Sequence, residues 1–92
     1  MITKFGSLFA GHVDFEDMGF DAIPVNDRWL SDERLAGVFD KSEAIVLKME
    51  ELGYDTFWSA EHHFQREGYD CIPNLLLLYV NLAHLTKNLK FG

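Results

Sequence analysis

A chain of 92 residues, 48% apolar and 14% aromatic, can bury the thin core of one small domain, which excludes intrinsic disorder. Its 15 acidic side chains outweigh 8 scattered basic ones for a net charge of -7, which excludes nucleic acid and anionic membrane as partners but leaves small molecules open. The lone Cys71 cannot form an internal disulfide, pointing to a reducing, cytoplasmic setting, and the longest apolar run, Leu75 to Leu85, is far short of the ~20 residues that span a bilayer.

The first predicted element is a strand in "TKFGSLFAG", where Phe5, Leu8 and Phe9 stand beside small residues and Gly11 offers a stop. Residues 12–30 then read as a polar loop carrying Asp14, Glu16, Asp17, Asp21 and Pro24. Loops of that length serve as lids or binding loops, or as plain solvated connections. A helix is predicted from Ser31, whose hydroxyl can cap it, with Asp32 and Glu33 favoured by the helix dipole. Leu35, Val38, Phe39, Ile45, Val46, Met49 and Leu52 recur at helical spacing as one apolar face, and Gly53 supplies a left-handed stop. Lys41, Glu43, Lys48 and Glu50 are expected on its solvated side.

A second strand follows in "TFWSA", Thr56 to Ala60, leading straight into Glu61, His62 and His63. After a loop with Gly68 and Cys71, Pro73 is placed in the first turn of a second helix. That helix, "NLLLLYVNLAHLTKN", is apolar over much of its circumference and should be covered on more than one side. "LKFG", Leu89 to Gly92, reads as a third strand. The order strand, helix, strand, helix, strand predicts an α/β fold with a parallel sheet joined by helical crossovers.

In parallel α/β folds, sites collect at the carboxyl ends of strands, which is where Glu61, His62 and His63 fall. An imidazole there can act as general acid or base near neutral pH. Neighbouring residues on an extended chain point to opposite sides, so His62 and His63 are not expected to grip one ion, and no HExxH is present. Packed, hydrogen-bonded scaffold is an equal reading of both histidines. Cys71 has no His or Lys beside it in sequence and is expected to be inert.

The run "ELGYDTFWSAEHHF", with "IPNLLLL", "LTKNLKFG" and the opening "KFGSLF", resembles the amino-terminal part of bacterial luciferase-like flavin-dependent monooxygenases. Residues 11–30 depart from that pattern. The resemblance implies the amino-terminal strand-helix-strand-helix-strand portion of a TIM (β/α)8 barrel, with residues 1–92 as an incomplete part of one barrel domain. It implies reduced FMN as cofactor, molecular oxygen, and an aldehyde, ketone or similar small organic substrate. A deazaflavin-dependent oxidoreductase, or a non-catalytic flavin-binding or assembly subunit, remains an alternative. The position matching the family's catalytic histidine is His62, with Glu61 lining or bracing the same flavin pocket and His63 turned to structure. A separate flavin reductase and a homodimer are further partners implied.

Overall fold

The computed structural model describes residues 1–16, 19–24, 27–64 and 66–92. Three short strands and two helices alternate: β1 (Gly6–Leu8), α1 (Asp32–Leu52), β2 (Thr56–Trp58), α2 (Leu75–Leu85) and β3 (Lys90–Phe91). The sheet order is β1-β2-β3 and both pairings are parallel, as the alternation predicts. Gly6, Ser7 and Leu8 stand opposite Thr56, Phe57 and Trp58, and Thr56 and Phe57 stand opposite Lys90 and Phe91. The strands are shorter than the apolar runs that contain them. Pairing continues past their ends through Phe9 N–H to Trp58 O and Gly92 N–H to Phe57 O, both at 3.0 Å.

Local signals set the limits of α1. The Ser31 hydroxyl accepts a hydrogen bond from the Arg34 amide at 3.3 Å, and Asp32 and Glu33 occupy the first turn. At the other end Gly53 has φ 76°, and the amides of Gly53 and Tyr54 return to the carbonyls of Glu50 and Met49 in a Schellman arrangement. For α2 the cap is Asn74, whose side chain accepts from Leu77 N–H at 3.0 Å, so Pro73 lies just outside the helix instead of in its first turn. The asparagine side chain satisfies an orphan amide that proline could not.

The helices cover one face of the sheet. Phe57, at the centre of β2, is fully buried against a cluster of Phe9, Val46, Met49, Ile72, Leu78, Leu82 and Leu89. The buried face of α1 is Val38, Ser42, Val46 and Met49; Phe39 and Leu52, expected on it, are exposed. Ser42 is tolerated because its hydroxyl donates to Val38 O at 2.7 Å. Only Leu78 and Leu82 of α2 are buried, whereas Leu76, Leu77 and Val80 remain 76%, 70% and 72% exposed, so the expected covering on several sides is absent among the described residues. No helix among them is long and apolar enough to cross a membrane.

The polar surface of α1 is tied into the fold. The Glu50 carboxylate accepts from the backbone amides of Lys87, Asn88 and Leu89 and from the Asn88 side chain, all between 2.8 and 3.2 Å. Burial opposes its charge, but these amides prevail and hold it below the usual glutamate range. Asn81 donates to Glu43 at 2.7 Å, and Lys41 pairs with Asp14. The stretch read as a polar loop, residues 12–30, also contributes core: Val13 and Leu30 form a second buried cluster with Val38, flanked by Phe15, Leu35 and Cys71. Asp17 of the predicted acidic loop lies outside the described residues.

Candidate functional site at the carboxyl end of the sheet

Beyond β2 the chain runs through Ser59 and Ala60 into Glu61, His62, His63 and Phe64, then folds back along the segment after β1. Four backbone hydrogen bonds hold it there: His62 N–H to Ile72 O, Cys71 N–H to Gly11 O, Val13 N–H to Gly68 O and Leu30 N–H to Arg66 O, at 2.8–3.0 Å. Gly11 and Gly68 lie at φ 85° and 91°, and a Cβ at either would press into Ile72 or into Phe15 and Leu30. The close approach therefore depends on both glycines.

The two histidines have different neighbours. His62 Nε2 lies 3.9 Å from Asp70 Oδ2, too far for a hydrogen bond but close enough for charge attraction. Its Nδ1 is buried and has no hydrogen-bond partner among the described residues. His63 Nε2 lies 3.1 Å from Glu61 Oε1. The other Glu61 oxygen accepts from Leu75 N–H, the first amide of α2, at 2.8 Å. That amide bond, more than the neighbouring His63, lowers the Glu61 carboxyl below its usual range. Glu61 and His63 thus form one unit on the α2 N-terminus, while His62 faces the loop.

A cavity of about 310 Å³ opens beside His62, lined by Leu35, Ala36 and Phe39 of α1 and by Phe64, Asp70 and Cys71 of the loop, among others. Glu61 does not line it. Phe64 is the non-glycine residue with positive φ, 63°, among the described residues, and its side chain is fully exposed. Strain of this kind concentrates at ligand sites. Burial, with Glu67 and Asp70 nearby, pushes the Cys71 thiol up, so it is a poor nucleophile although it shares the His62 cavity. The sequence could not place it there, because the chain between His62 and Cys71 folds back only through the contacts with Gly11 and Val13. No three His, Cys, Asp or Glu side chains among the described residues are grouped to hold a metal ion.

On the sheet face opposite Phe57, the indole of Trp58 lies across neighbouring strands. A Cβ on Gly6 would stand 3.2 Å from its Nε1, and one on Gly92 would overlap its six-membered ring, with Cε3 at 2.6 Å and Cη2 at 2.7 Å. The strand ends around it are braced by Tyr79 of α2, whose hydroxyl accepts from Ser59 N–H at 2.8 Å and donates to Gly92 O. Ser59 Oγ donates to Phe9 O at 2.7 Å. Burial raises the Tyr79 hydroxyl pKa, so it stays a neutral donor.

A parallel α/β sheet with helices on one face and a histidine-bearing loop at its carboxyl ends defines an α/β protein with its site on that rim. The sequence model of the luciferase-like monooxygenase family matches residues 18–92, and the chain belongs to that family. The strand-helix alternation is that of the opening units of its TIM barrel. An uncharacterized protein of Sinorhizobium fredii, y4vJ, is 35% identical over 57 residues, which are 62% of this chain and 16% of that protein. The matched region therefore spans about one sixth of the relative's length. No solved structure matches the chain.

The family is described as one of luciferase-like monooxygenases, and the resemblance noted from the sequence implies a reduced flavin, FMN or a deazaflavin, as its cofactor. The residues present fit such a group. The rim carries an imidazole whose buried Nδ1 lacks a partner among the described residues, beside a largely apolar cavity.

Proposed function

We propose that this chain serves a flavin-dependent monooxygenase using reduced FMN and molecular oxygen on an aldehyde, ketone or similar small organic substrate. The observation that carries the reading is His62, in the family's Ala-Glu-His-His-Phe run, at the carboxyl rim of the sheet with Nδ1 buried and unpartnered among the described residues. Bound reduced flavin would supply the electrons for dioxygen chemistry. The Asp70 carboxylate near Nε2 favours the tautomer protonated on that nitrogen, which leaves the Nδ1 lone pair to accept a proton and return it. Glu61 holds the segment by binding the Leu75 amide and His63, so its part in the flavin site is to fix where the His62 backbone sits. The cavity beside His62, near 310 Å³, is of a size that takes a small organic molecule. A flavin reductase that delivers reduced FMN, and a homodimer, complete the reading.

The test is oxygen uptake by the native gene product supplied with reduced FMN and a panel of aldehydes and ketones. Substrate-dependent uptake is expected, and His62→Ala should lower turnover about 100-fold or more, the scale for loss of a general acid or base. His63→Ala should act chiefly on stability. Turnover that survives His62→Ala and collapses in His63→Ala would overturn the assignment.

A further inference from the structure

We infer that Phe39 sets how long an apolar tail the substrate carries, standing with Pro73 as the end wall of the cavity beside His62. This rests on the proposed function and adds to it the residue that selects among carbonyl substrates. In that cavity His62 and Asp70 lie together, 3.9 Å apart, and Leu35, Ala36 and Phe39 line it from α1. At three- and four-residue spacing these three share one stripe of the helix. A carbonyl group placed at the imidazole therefore leaves its tail against hydrocarbon.

A second cavity of equal volume, about 310 Å³, lies in the seam between the two helices, lined by Phe39, Pro73, Asn74, Leu77, Leu78 and Asn81. Phe39 and Pro73 line both cavities, so they form the partition between them. One turn further along each helix the seam is closed, where Asn81 donates to Glu43 at 2.7 Å. The Asn74 side chain is engaged by Leu77 N–H, so the space behind the partition suits hydrocarbon and not a second polar group. Phe39 recurs at the spacing of the core residues, yet it belongs to neither buried cluster and is 37% exposed. Its size can therefore change without opening the core.

The experiment uses the native gene product and straight-chain alcohols from butanol to decanol, unreactive stand-ins for the aldehydes. Kd is measured by isothermal titration calorimetry, so neither flavin nor turnover enters. Each methylene that finds room should lower the Kd about fourfold, and the fall should stop at the chain length that meets Phe39. Phe39→Ala should move that break several carbons longer, and Phe39→Trp should move it shorter. Phe39→Leu should move it in the same direction as Phe39→Ala by less, which keeps the test intact if Phe39→Ala does not fold. Leu77→Trp, which fills the second cavity from a 70% exposed position, should return the Phe39→Ala break toward its original length. A break at one length in every variant, no break in any, or no binding of the alcohols would overturn the role of Phe39 while leaving the monooxygenase reading to its own test by oxygen uptake. A break that moves as expected, in a protein that takes up no oxygen with any aldehyde or ketone, would keep Phe39 as the wall and overturn the monooxygenase.

Discussion

Gly68→Ala tests whether the loop that carries His62 is built as described. Gly68 has φ 91°, a conformation that costs an L-residue roughly 1–2 kcal/mol. The new methyl would also stand 2.9 Å from Phe15 Cζ and closer still to Leu30 Cδ1. Neither neighbour gives way easily. Leu30 is buried, and Phe15 is held between the Arg28 guanidinium, 4.3 Å from its ring centre, and Tyr69 at 5.3 Å. Overpacking of this kind costs about 1–3 kcal/mol, so the total is roughly 2–5 kcal/mol.

Gly53→Ala is the internal control. Its φ of 76° incurs similar backbone strain, but its Cβ would meet nothing within 4 Å among the described residues, so only about 1–2 kcal/mol is expected. Urea unfolding followed by circular dichroism reads the difference, since an m-value of about 1 kcal/mol/M converts the extra 1–3 kcal/mol into a midpoint gap of roughly 1–3 M. Leu30→Val, which removes the contacting Cδ1, should recover part of the Gly68→Ala loss in the double variant and none of the Gly53→Ala loss. Equal midpoints for Gly68→Ala and Gly53→Ala, at equal m-values, would refute the close packing of the loop on Phe15 and Leu30.

Two further expectations concern the histidine segment. Glu61 has its folded pKa lowered, so the unfolded chain binds more protons, and the stability it contributes is present above the ordinary glutamate range and lost as pH falls through the folded value. Glu61→Gln should flatten the acid limb of the melting temperature against pH while leaving the neutral limb parallel; an unchanged acid limb would count against the Leu75 amide bond. Phe64→Gly should raise stability by about 1 kcal/mol through relief of positive-φ strain, because the exposed ring has little packing to lose. A lowered melting temperature would show that the ring is packed.

Features with causes only a few residues away were legible in the sequence. The limits of α1 follow from a hydroxyl cap at Ser31 and a left-handed glycine at Gly53, both acting within one helical turn. The parallel order follows from alternating strand and helix patterns, and the position of Glu61, His62 and His63 at a strand end follows from their place after "TFWSA". Proline at position 73 misled because two local signals competed, and the Asn74 side chain made the cap.

Tertiary structure alone decided which polar groups found one another. Glu50 reads as surface on the helical pattern, yet it closes the turn before β3 across 37 to 39 residues. Glu61 reaches 14 residues ahead to the α2 amide, which separates it from the His62 cavity. Val13 and Leu30 look like loop until Val38 is brought beside them. Trp58 reads as one more apolar strand residue, and its flat placement depends on glycines of two other strands. Hydropathy patterns report which side of an element is apolar, but not what covers it. Hydrogen-bond partners and clearances depend on distances between segments, which exist only once the chain has folded.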